Sequence, residues 1–529
     1  MSHPVLIVLA AIVVLLILVA LWDITQRRHA ITRNFPIIGH LRYLLEKVGP
    51  ELRQYIVTAN DEERPFTRDE RRWIYASSKQ ENPYFGFGTD NDLERTPGYI
   101  IIRHAAFPAA APAIDPSREL PAAKIIGATH GRRHAFRPNS IVNVSAMSFG
   151  ALSGPAIEAL NRGCAIAGAM QNTGEGGLAD HHLHGGDLTF QIGTGYFGCR
   201  DIATGAFSMN VLQKTIARGP VKMIEIKLSQ GAKPGHGGIL PGAKVTEEIA
   251  RIRGVQAGVD CVSPPGHSAF GDVDGLIDFV ERVADATGLP VGIKSAVGER
   301  AFWRDLARRM RETGNGPDFI TIDGGEGGTG AAPLVFADHV SLPYTIAMAE
   351  AYSAFAREGI HEDIVFIGSG RLGLPERTLL AFALGCDMVN VAREAMLSIG
   401  CIQAQRCHTG HCPTGVATQS KWLMRGLDPT LKAARLANYV SVLRSELIDL
   451  ARTCGARHPA LVDLDNIDVL DEHFTTTSLR TNFDYEPGWG VPKESDLDGL
   501  RALLAERVGA KGDGSDPIHP LSTTTPRHS

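Results

Sequence analysis

The sequence predicts an α/β protein: a (β/α)₈ (TIM) barrel with an N-terminal transmembrane helix and a C-terminal helical extension. Three observations predict it. From about residue 140 to 425, short β-rich runs ending in glycine or polar residues alternate with longer helical stretches, as parallel strands with crossover helices require. Pro4 to Trp22 (PVLIVLAAIVVLLILVALW) is uncharged and almost wholly apolar. Leu431–Cys454 repeats apolar residues at i, i+3, i+4 and i+7, the spacing of one helix face. These features divide the chain into 1–24 (anchor), 25–120 (a mixed region), 121–425 (barrel), 426–475 (helical extension) and 476–529 (tail).

Taken in order, the first element is the anchor. Nineteen residues at about 1.5 Å each span roughly 28 Å, close to the thickness of a bilayer core. A cleaved signal peptide is the alternative. Against it, no Lys or Arg precedes the run and no small-x-small site follows it before Asp23. Arg27, Arg28, His29 and Arg33 come next, and the positive-inside rule then places the catalytic part in the cytoplasm, tethered by one helix. Residues 25–120 hold a helix at Leu41–Thr58, a charged stretch at Asp61–Arg72 and an aromatic loop at Tyr84, Phe85 and Phe87.

Eight runs then follow as barrel strands: Ile141–Ala146, Gly168–Asn172, a weak one at Tyr196–Cys199, Met223–Lys227, Val291–Lys294, Phe319–Asp323, Ile364–Ile367 and Asp387–Val391. A further run at Val259–Ser263 is assigned to an insertion, and Val273–Thr287 and Pro375–Gly385 read as crossover helices. Eight such strands favour a closed barrel over an open doubly wound sheet. Gly512–Ser529, rich in Gly, Ser, Thr and Pro, has the composition of a disordered tail.

Across 529 residues the apolar share is 44% and the net charge −5, so no basic face for nucleic acid is indicated. The eight cysteines are mostly scattered along a large chain and do not form a disulfide framework.

In barrel enzymes the loops after the strands build the active site. Three glycine-rich ends stand out here: Asp323–Pro333 (DGGEGGTGAAP), IVFIGSGR ending at Arg371, and VNVARE around Ala392 and Arg393. Backbone N–H groups in such loops close around phosphate, and three on neighbouring strands point to a phosphorylated cofactor. Lys294, ending VGIK, suits the pyrimidine edge of a flavin, where a cation stabilises the reduced ring. Lys227 ends its strand in the same way, and Gln230 and Lys233 follow in KLSQGAKPGHGGILPG, a set that suits a dicarboxylate. Glu175, in NTGEGG, is placed to move a proton, to bind an amine or to cap a turn. Cys401, Cys407 and Cys412 are spaced C-x5-C-x4-C and followed by proline, which fits an iron–sulfur loop better than zinc pairs. Three local ligands favour a three-iron cluster; reduced thiols, or zinc with His408 and His411, remain alternatives.

Five segments in order carry a resemblance: SAMSFGALSGPAIEALNRG (Ser145–Gly163), NTGEGG (Asn172–Gly177), KLSQGAKPGHGGILPGAKV (Lys227–Val245), DGGEGGTGAAP and CIQAQRCHTGHCPTGVATQ (Cys401–Gln419). Together they resemble the FMN-binding synthase domain of the glutamate synthase large subunit, in its stand-alone, membrane-anchored form. The resemblance implies FMN in the barrel mouth and a [3Fe-4S] cluster on Cys401, Cys407 and Cys412. It also implies the reduction of 2-iminoglutarate, formed from 2-oxoglutarate and ammonia, to L-glutamate. Lys227, Gln230 and Lys233 would hold the oxo acid, with Glu175 at the amine end, so that Glu175, Lys227 and Lys233 form the catalytic set. The flavin would be lined by Ser145, Ala146, Met147, Ser148, Asn172, Gln191 and Lys294. Its phosphate would be met by Asp323, Gly324, Gly325, Gly328, Thr329, Gly368, Ser369, Gly370, Arg371, Ala392 and Arg393. No G-x-G-x-x-G fingerprint stands at a strand–helix turn, so ferredoxin, or NAD(P)H through a partner subunit, is the expected electron donor. The family's amidotransferase domain has no counterpart in the sequence, leaving ammonia or another amine to come from elsewhere. The family's SPPPHH-type segment is SPPGHSAF here (Ser263–Phe270), a difference on the substrate side. An enzyme for another amine and oxo-acid pair, or an electron-transfer subunit of a membrane complex, are the competing readings.

Overall fold

Strands whose apolar residues alternate with polar ones need helices over one face and closure over the other. The computed structural model describes residues 3–26, 30–84, 86–89, 91–94, 96–110 and 115–509. Eight parallel strands close there in chain order: β1 (Val142–Val144), β2 (Met170–Asn172), β3 (Asp187–Ile192), β4 (Val221–Lys227), β5 (Val291–Ser295), β6 (Phe319–Asp323), β7 (Val365–Ser369) and β8 (Met388–Val391). Closure runs through Val389 beside Val142 and Val391 beside Val144.

The third strand corrects the sequence reading. It is Asp187–Ile192, and Tyr196–Cys199 is a turn beyond it, with Tyr196 at φ 50°. Leu188, Phe190 and Ile192 alternate as a strand should, but Thr189 and Gln191 between them are also buried. Polar residues facing the barrel interior hid the strand. The Val259–Ser263 run does lie outside the barrel: Cys261–Val262 pairs antiparallel with Ile239–Leu240 in the connection between β4 and β5.

Capping chemistry fixes the crossover helices. Ser153 accepts from the Ala156 N–H to start Gly154–Ala167, and Gly168, at φ 64°, ends it. Asp272 and Gly288 do the same for Val273–Thr287. Between β2 and β3 the only helical piece is a short turn at Asp180–His182. The long helix Pro429–Thr453 packs along Gly154–Ala167. Its Leu436, Tyr439, Val440, Leu443 and Leu447 are buried. Arg444, also buried, donates to the carbonyls of Ala167 (2.8 Å) and Ser117 (3.0 Å). After this helix, Ile467–Leu470 pairs antiparallel with Ile100–Ile102 and Thr476–Ser478. Helical periodicity gave no hint of that three-stranded sheet. Leu479–Phe483 and Glu494–Gly509 follow, while the compositionally disordered Gly512–Ser529 lies outside the described residues.

The chain divides into two compact units, Met1–Arg72 and Trp73–Ser529. In the first, His3–Thr25 is one helix, long and apolar enough to cross a bilayer, with Ile7, Val14, Leu15 and Trp22 exposed. At its end the buried Asp23 carboxylate accepts from the Ile37 N–H (2.9 Å) and from His40 Nε2 (2.8 Å). The helix expected at Leu41–Thr58 is Gly39–Leu52, continued by a π-helical turn, Arg53–Val57. Arg27, Arg28, His29 and Phe85 lie outside the described residues; Arg33 falls in the short helix Ala30–Asn34.

At the helix crossing, a Cβ on Gly163 would sit 2.8 Å from the Leu436 Cβ and 2.9 Å from the Ala433 carbonyl. Gly163→Leu should therefore destabilise the protein by about 1–3 kcal/mol through overpacking. Thermal melting measures this; a wild-type Tm would mean that the helices do not cross there.

Candidate active site

Because all eight strands run the same way, their C-terminal ends meet at one mouth. Ser145–Ser148 follow β1, Asn172 ends β2, Gln191 lies in β3, Lys227 ends β4 and Lys294 lies in β5. Asp323 ends β6, Ser369 ends β7, and Ala392 and Arg393 follow β8. The topology thus brings every predicted cofactor and substrate position to the same end of the barrel.

The floor of the mouth is polar. Glu225 on β4, 1% exposed, accepts hydrogen bonds from Asn172 Nδ2 (2.7 Å), Gln191 Nε2 (2.6 Å) and Thr321 Oγ1 (2.7 Å). Among the described residues no cation lies within ion-pair distance of it. A buried carboxylate is tolerable on these terms because hydrogen bonds replace its hydration. Asn172 turns its Oδ1 to the Gly174 N–H (2.9 Å), which fixes the NTGEGG loop. Gly174, at φ +66°, lets that loop press on the β1 loop, where a Cβ would meet the Ser148 N at 2.6 Å.

The residues predicted to bind substrate stand above this floor. Lys227 Nζ bridges Glu175 Oε1 (2.8 Å) and Gln230 Oε1 (2.7 Å). Burial acts to raise the Glu175 carboxyl, but Lys227, aided by Lys233 and Arg253, overrides it and holds the acid below the usual carboxylate range. Lys233 is buried and donates to the Ala331 carbonyl at 2.9 Å. Burial, reinforced by repulsion from Lys227, depresses its ammonium pKa. The SPPGHSAF segment walls this side: Pro264 and Pro265 line the small cavity of about 20 Å³ shared by Glu175, Lys227, Gln230 and Lys233. His267 Nε2 donates to the Lys227 carbonyl (2.9 Å), which leaves Nδ1 to accept from the Tyr196 hydroxyl (3.2 Å). Burial keeps this ring neutral by lowering its pKa.

The loops predicted to meet a phosphate are built by close approach. A Cβ on Gly231 would fall 1.8 Å from the Gly324 carbonyl, so the predicted substrate loop after β4 (Leu228–Gly238) lies directly on the β6 loop. Asp323 joins them: one oxygen accepts from the Gly231 N–H (2.7 Å), the other faces Lys294 Nζ (3.5 Å). Burial alone would raise the Asp323 carboxyl; Lys294 chiefly reverses this and lowers it. Gly325 donates to Leu342 (2.8 Å), Gly328 leaves room for the Arg393 side chain, and the Thr329 hydroxyl accepts from Ala331 (3.3 Å). Gly368 passes under the Tyr344 hydroxyl, and Gly370 (φ +130°) and Arg371 (φ 58°) turn the chain after β7. Arg393 donates to the Glu326 carbonyl, and its pKa is lowered first by burial and further by repulsion from Arg371. Two mutually repelling guanidinium groups beside glycine turns form a donor set that fits a phosphate.

The three predicted metal ligands share one loop beyond β8. Tyr75 holds the Cys401 carbonyl at 2.8 Å. Cys407 and Cys412 both feel Lys244, a buried lysine that donates to the carbonyls of Ala151 (3.1 Å), Cys407 (3.3 Å) and Ala417 (3.4 Å). Burial raises the Cys407 thiol, whereas backbone N–H groups at Ala417, Thr414 and Val416 outweigh burial and lower that of Cys412. None of the eight cysteines forms a disulfide. Among the described residues no three Cys, His, Asp or Glu side chains converge tightly enough for a single metal ion. Thiolates on a multi-iron cluster stand farther apart, because each binds its own iron. The buried Lys244 ammonium, which has only carbonyl partners among the described residues, fits an anionic group at this loop.

Sequence reasoning missed Glu225, His267 and Lys244. Glu225 carries one readable signal, a charged residue in the middle of an otherwise apolar strand (MIEIK).

Residues 117–457 match the family model described as a conserved region in glutamate synthase. The chain is 38% identical over 486 residues to the glutamate synthase large subunit-like protein YerD of Bacillus subtilis (strain 168), covering 85% of this chain and 92% of that one. It is 34% identical over 371 residues to the archaeal glutamate synthase [NADPH] of Methanocaldococcus jannaschii, covering 68% of this chain and 65% of that one. It is 32% identical over 348 residues to a glutamate synthase large subunit-like protein of Rhizobium meliloti (strain 1021), covering 62% and 75%.

The Glu175–Lys227 pair makes a pH prediction. A carboxyl held low stays ionised as the pH falls; without Lys227, burial dominates and the acid protonates at higher pH. In Lys227→Met, the acid limb of the kcat/KM profile should therefore move to higher pH, on top of a lower rate. An unmoved limb would separate that limb from Glu175.

Proposed function

Because the chain belongs to the glutamate synthase family of oxidoreductases, we propose that it reduces 2-iminoglutarate, formed from 2-oxoglutarate and ammonia, to L-glutamate with FMN and a [3Fe-4S] cluster. The observation that carries this reading is the Lys227 bridge between Glu175 and Gln230, with Lys233 beside it at the barrel mouth. In this reading Lys294 and the Arg371–Arg393 side would hold FMN, which when bound would supply the hydride. Lys227, Gln230 and Lys233 bind the oxo acid through its carboxylates. Glu175, ionised in the resting site, takes a proton from the incoming amine and returns one to the substrate nitrogen. Pro264 and Pro265 wall the cavity, and the neutral His267 holds the Lys227 backbone. Cys401, Cys407 and Cys412 would hold the cluster, on the far side of the β6 loop: a Cβ on Gly330 would lie 3.5 Å from the Cys407 Cβ. Electrons would come from ferredoxin, or from NAD(P)H through a partner. The helix His3–Thr25 would anchor the chain, with the barrel in the cytoplasm.

Anaerobic, photoreduced protein mixed with 2-oxoglutarate and ammonium tests the proposal. The flavin absorbance should return as glutamate forms, with FMN and about three irons per chain. In Lys233→Ala the reoxidation should slow at least about ten-fold, roughly 1.4 kcal/mol, with FMN still bound. Reoxidation only by another amine and oxo-acid pair would reassign the substrate, and reoxidation only by quinones would favour an electron-transfer subunit. Iron-free protein from an anaerobic preparation would remove the cluster. Deleting residues 1–26 should release the enzyme from membranes, and retention there would overturn the single anchor.

A further inference from the structure

A second cavity, of about 370 Å³, opens outside the mouth, between the loop after β2, the loop and helix after β3 and the insertion helix Glu247–Arg253. None of Glu175, Lys227 and Lys233 lines it. Its volume falls in the range of small-molecule sites, about 300–1,000 Å³.

Its charge is one-sided: Arg200, Arg218, Arg251 and Arg253 face a single acid, Asp180, and Asp180 is engaged by Arg218. The other three have no carboxylate within ion-pair distance among the described residues. Arg251 is exposed and makes no hydrogen bond or ion pair there. Arg200 gives Nη2 to the Gly254 carbonyl, while its Nε is buried without a partner. Arg253 is 5% exposed, and its Nε is likewise unpartnered. Both of these groups lie over the Phe197 ring, at 5.0 and 5.3 Å, which offsets only part of their lost hydration. The opposite character is supplied by Leu178, Ile202, Val211 and Ile252.

Guanidinium forks match carboxylates and phosphates, and an apolar wall adjoining them selects a ligand with an apolar body. The geometry points to a binding site for a small organic anion, its phosphate or carboxylate head on the arginines and its body on the aliphatic wall. The occupant would be sensed at the mouth. Arg253 donates to the Phe149 carbonyl (3.0 Å) and reaches Ser148 Oγ (3.4 Å) in the β1 loop. It also packs on the NTGEGG loop, where a Cβ on Gly176 would lie 2.9 Å from its Nη2. The inference holds whether or not the proposed reaction does.

Titration calorimetry on the detergent-solubilised full chain, saturated with FMN so that the mouth is taken, tests this. The probes are AMP, phenylacetate and inorganic phosphate. AMP or phenylacetate should bind at one site per chain, and whichever binds identifies the head group; inorganic phosphate, lacking the body, should bind more weakly. Arg251→Glu, an exposed position with no partner to lose, should weaken binding by about ten-fold or more. No heat from any probe at millimolar concentration, or equal affinity in Arg251→Glu, would overturn the site.

Discussion

The Glu225 carboxylate is the constraint on which the rest of the mouth depends. It draws donors from β2, β3 and β6 to its own strand, β4, so four of the eight strands are tied at one level just below the rim. An acceptor-only group also dictates how its partners face. Asn172 and Gln191 must turn their amide N–H groups inward, so the Asn172 carbonyl oxygen is left to hold Gly174. Glu175 is the next residue. The carboxylate proposed for proton transfer is therefore positioned by a buried one, through a single side chain and one backbone bond.

From that level upward the loops are interlocked rather than independent. The substrate loop lies on the β6 loop through Gly231 and Gly324 and is bonded to it through Asp323 and Lys233. The β6 loop in turn touches the cysteine loop at Gly330. Lys244, at the end of the substrate segment, closes the circuit by holding carbonyls of the β1 loop and the cysteine loop together. The glycines of these loops are thus needed for contact between backbones as much as for contact with a ligand.

This explains what was legible in the sequence. Strands with apolar lengths and glycine ends, such as Val291–Ser295 and Phe319–Asp323, could be read directly, and so could the order of the mouth residues. Asp187–Ile192 could not, because Gln191 faces the lumen and breaks the apolar run there. Glu225 was hidden for the opposite reason: it sits in a clear strand, where one charge looks like an exception. The arginine cavity draws on residues from 178 to 254, and no local motif announces a site assembled from four segments. Ile467–Leu470 finds its partner Ile100–Ile102 more than 360 residues away, a pairing that no window of sequence contains.

The electrostatics of the mouth give the proposed chemistry an order. Lys227 is already neutralised by Glu175, while Lys233 has only a carbonyl partner among the described residues, so Lys233 would supply the free positive charge that first meets the proposed dianion. The cavity between them holds little more than a water, at about 20 Å³, so in the proposed reaction an entering carboxylate would take Lys227 from Glu175 rather than join the pair. Once it does, the main force depressing the Glu175 carboxyl is lost and burial raises it. In the proposed reaction the same lysine would then serve twice: it would keep the acid ionised in the resting site, ready to accept a proton from the amine, and let its pKa climb when the oxo acid arrives. A fixed ion pair would be a poor proton donor, whereas one broken by the substrate's own charge becomes a donor only when there is something to protonate.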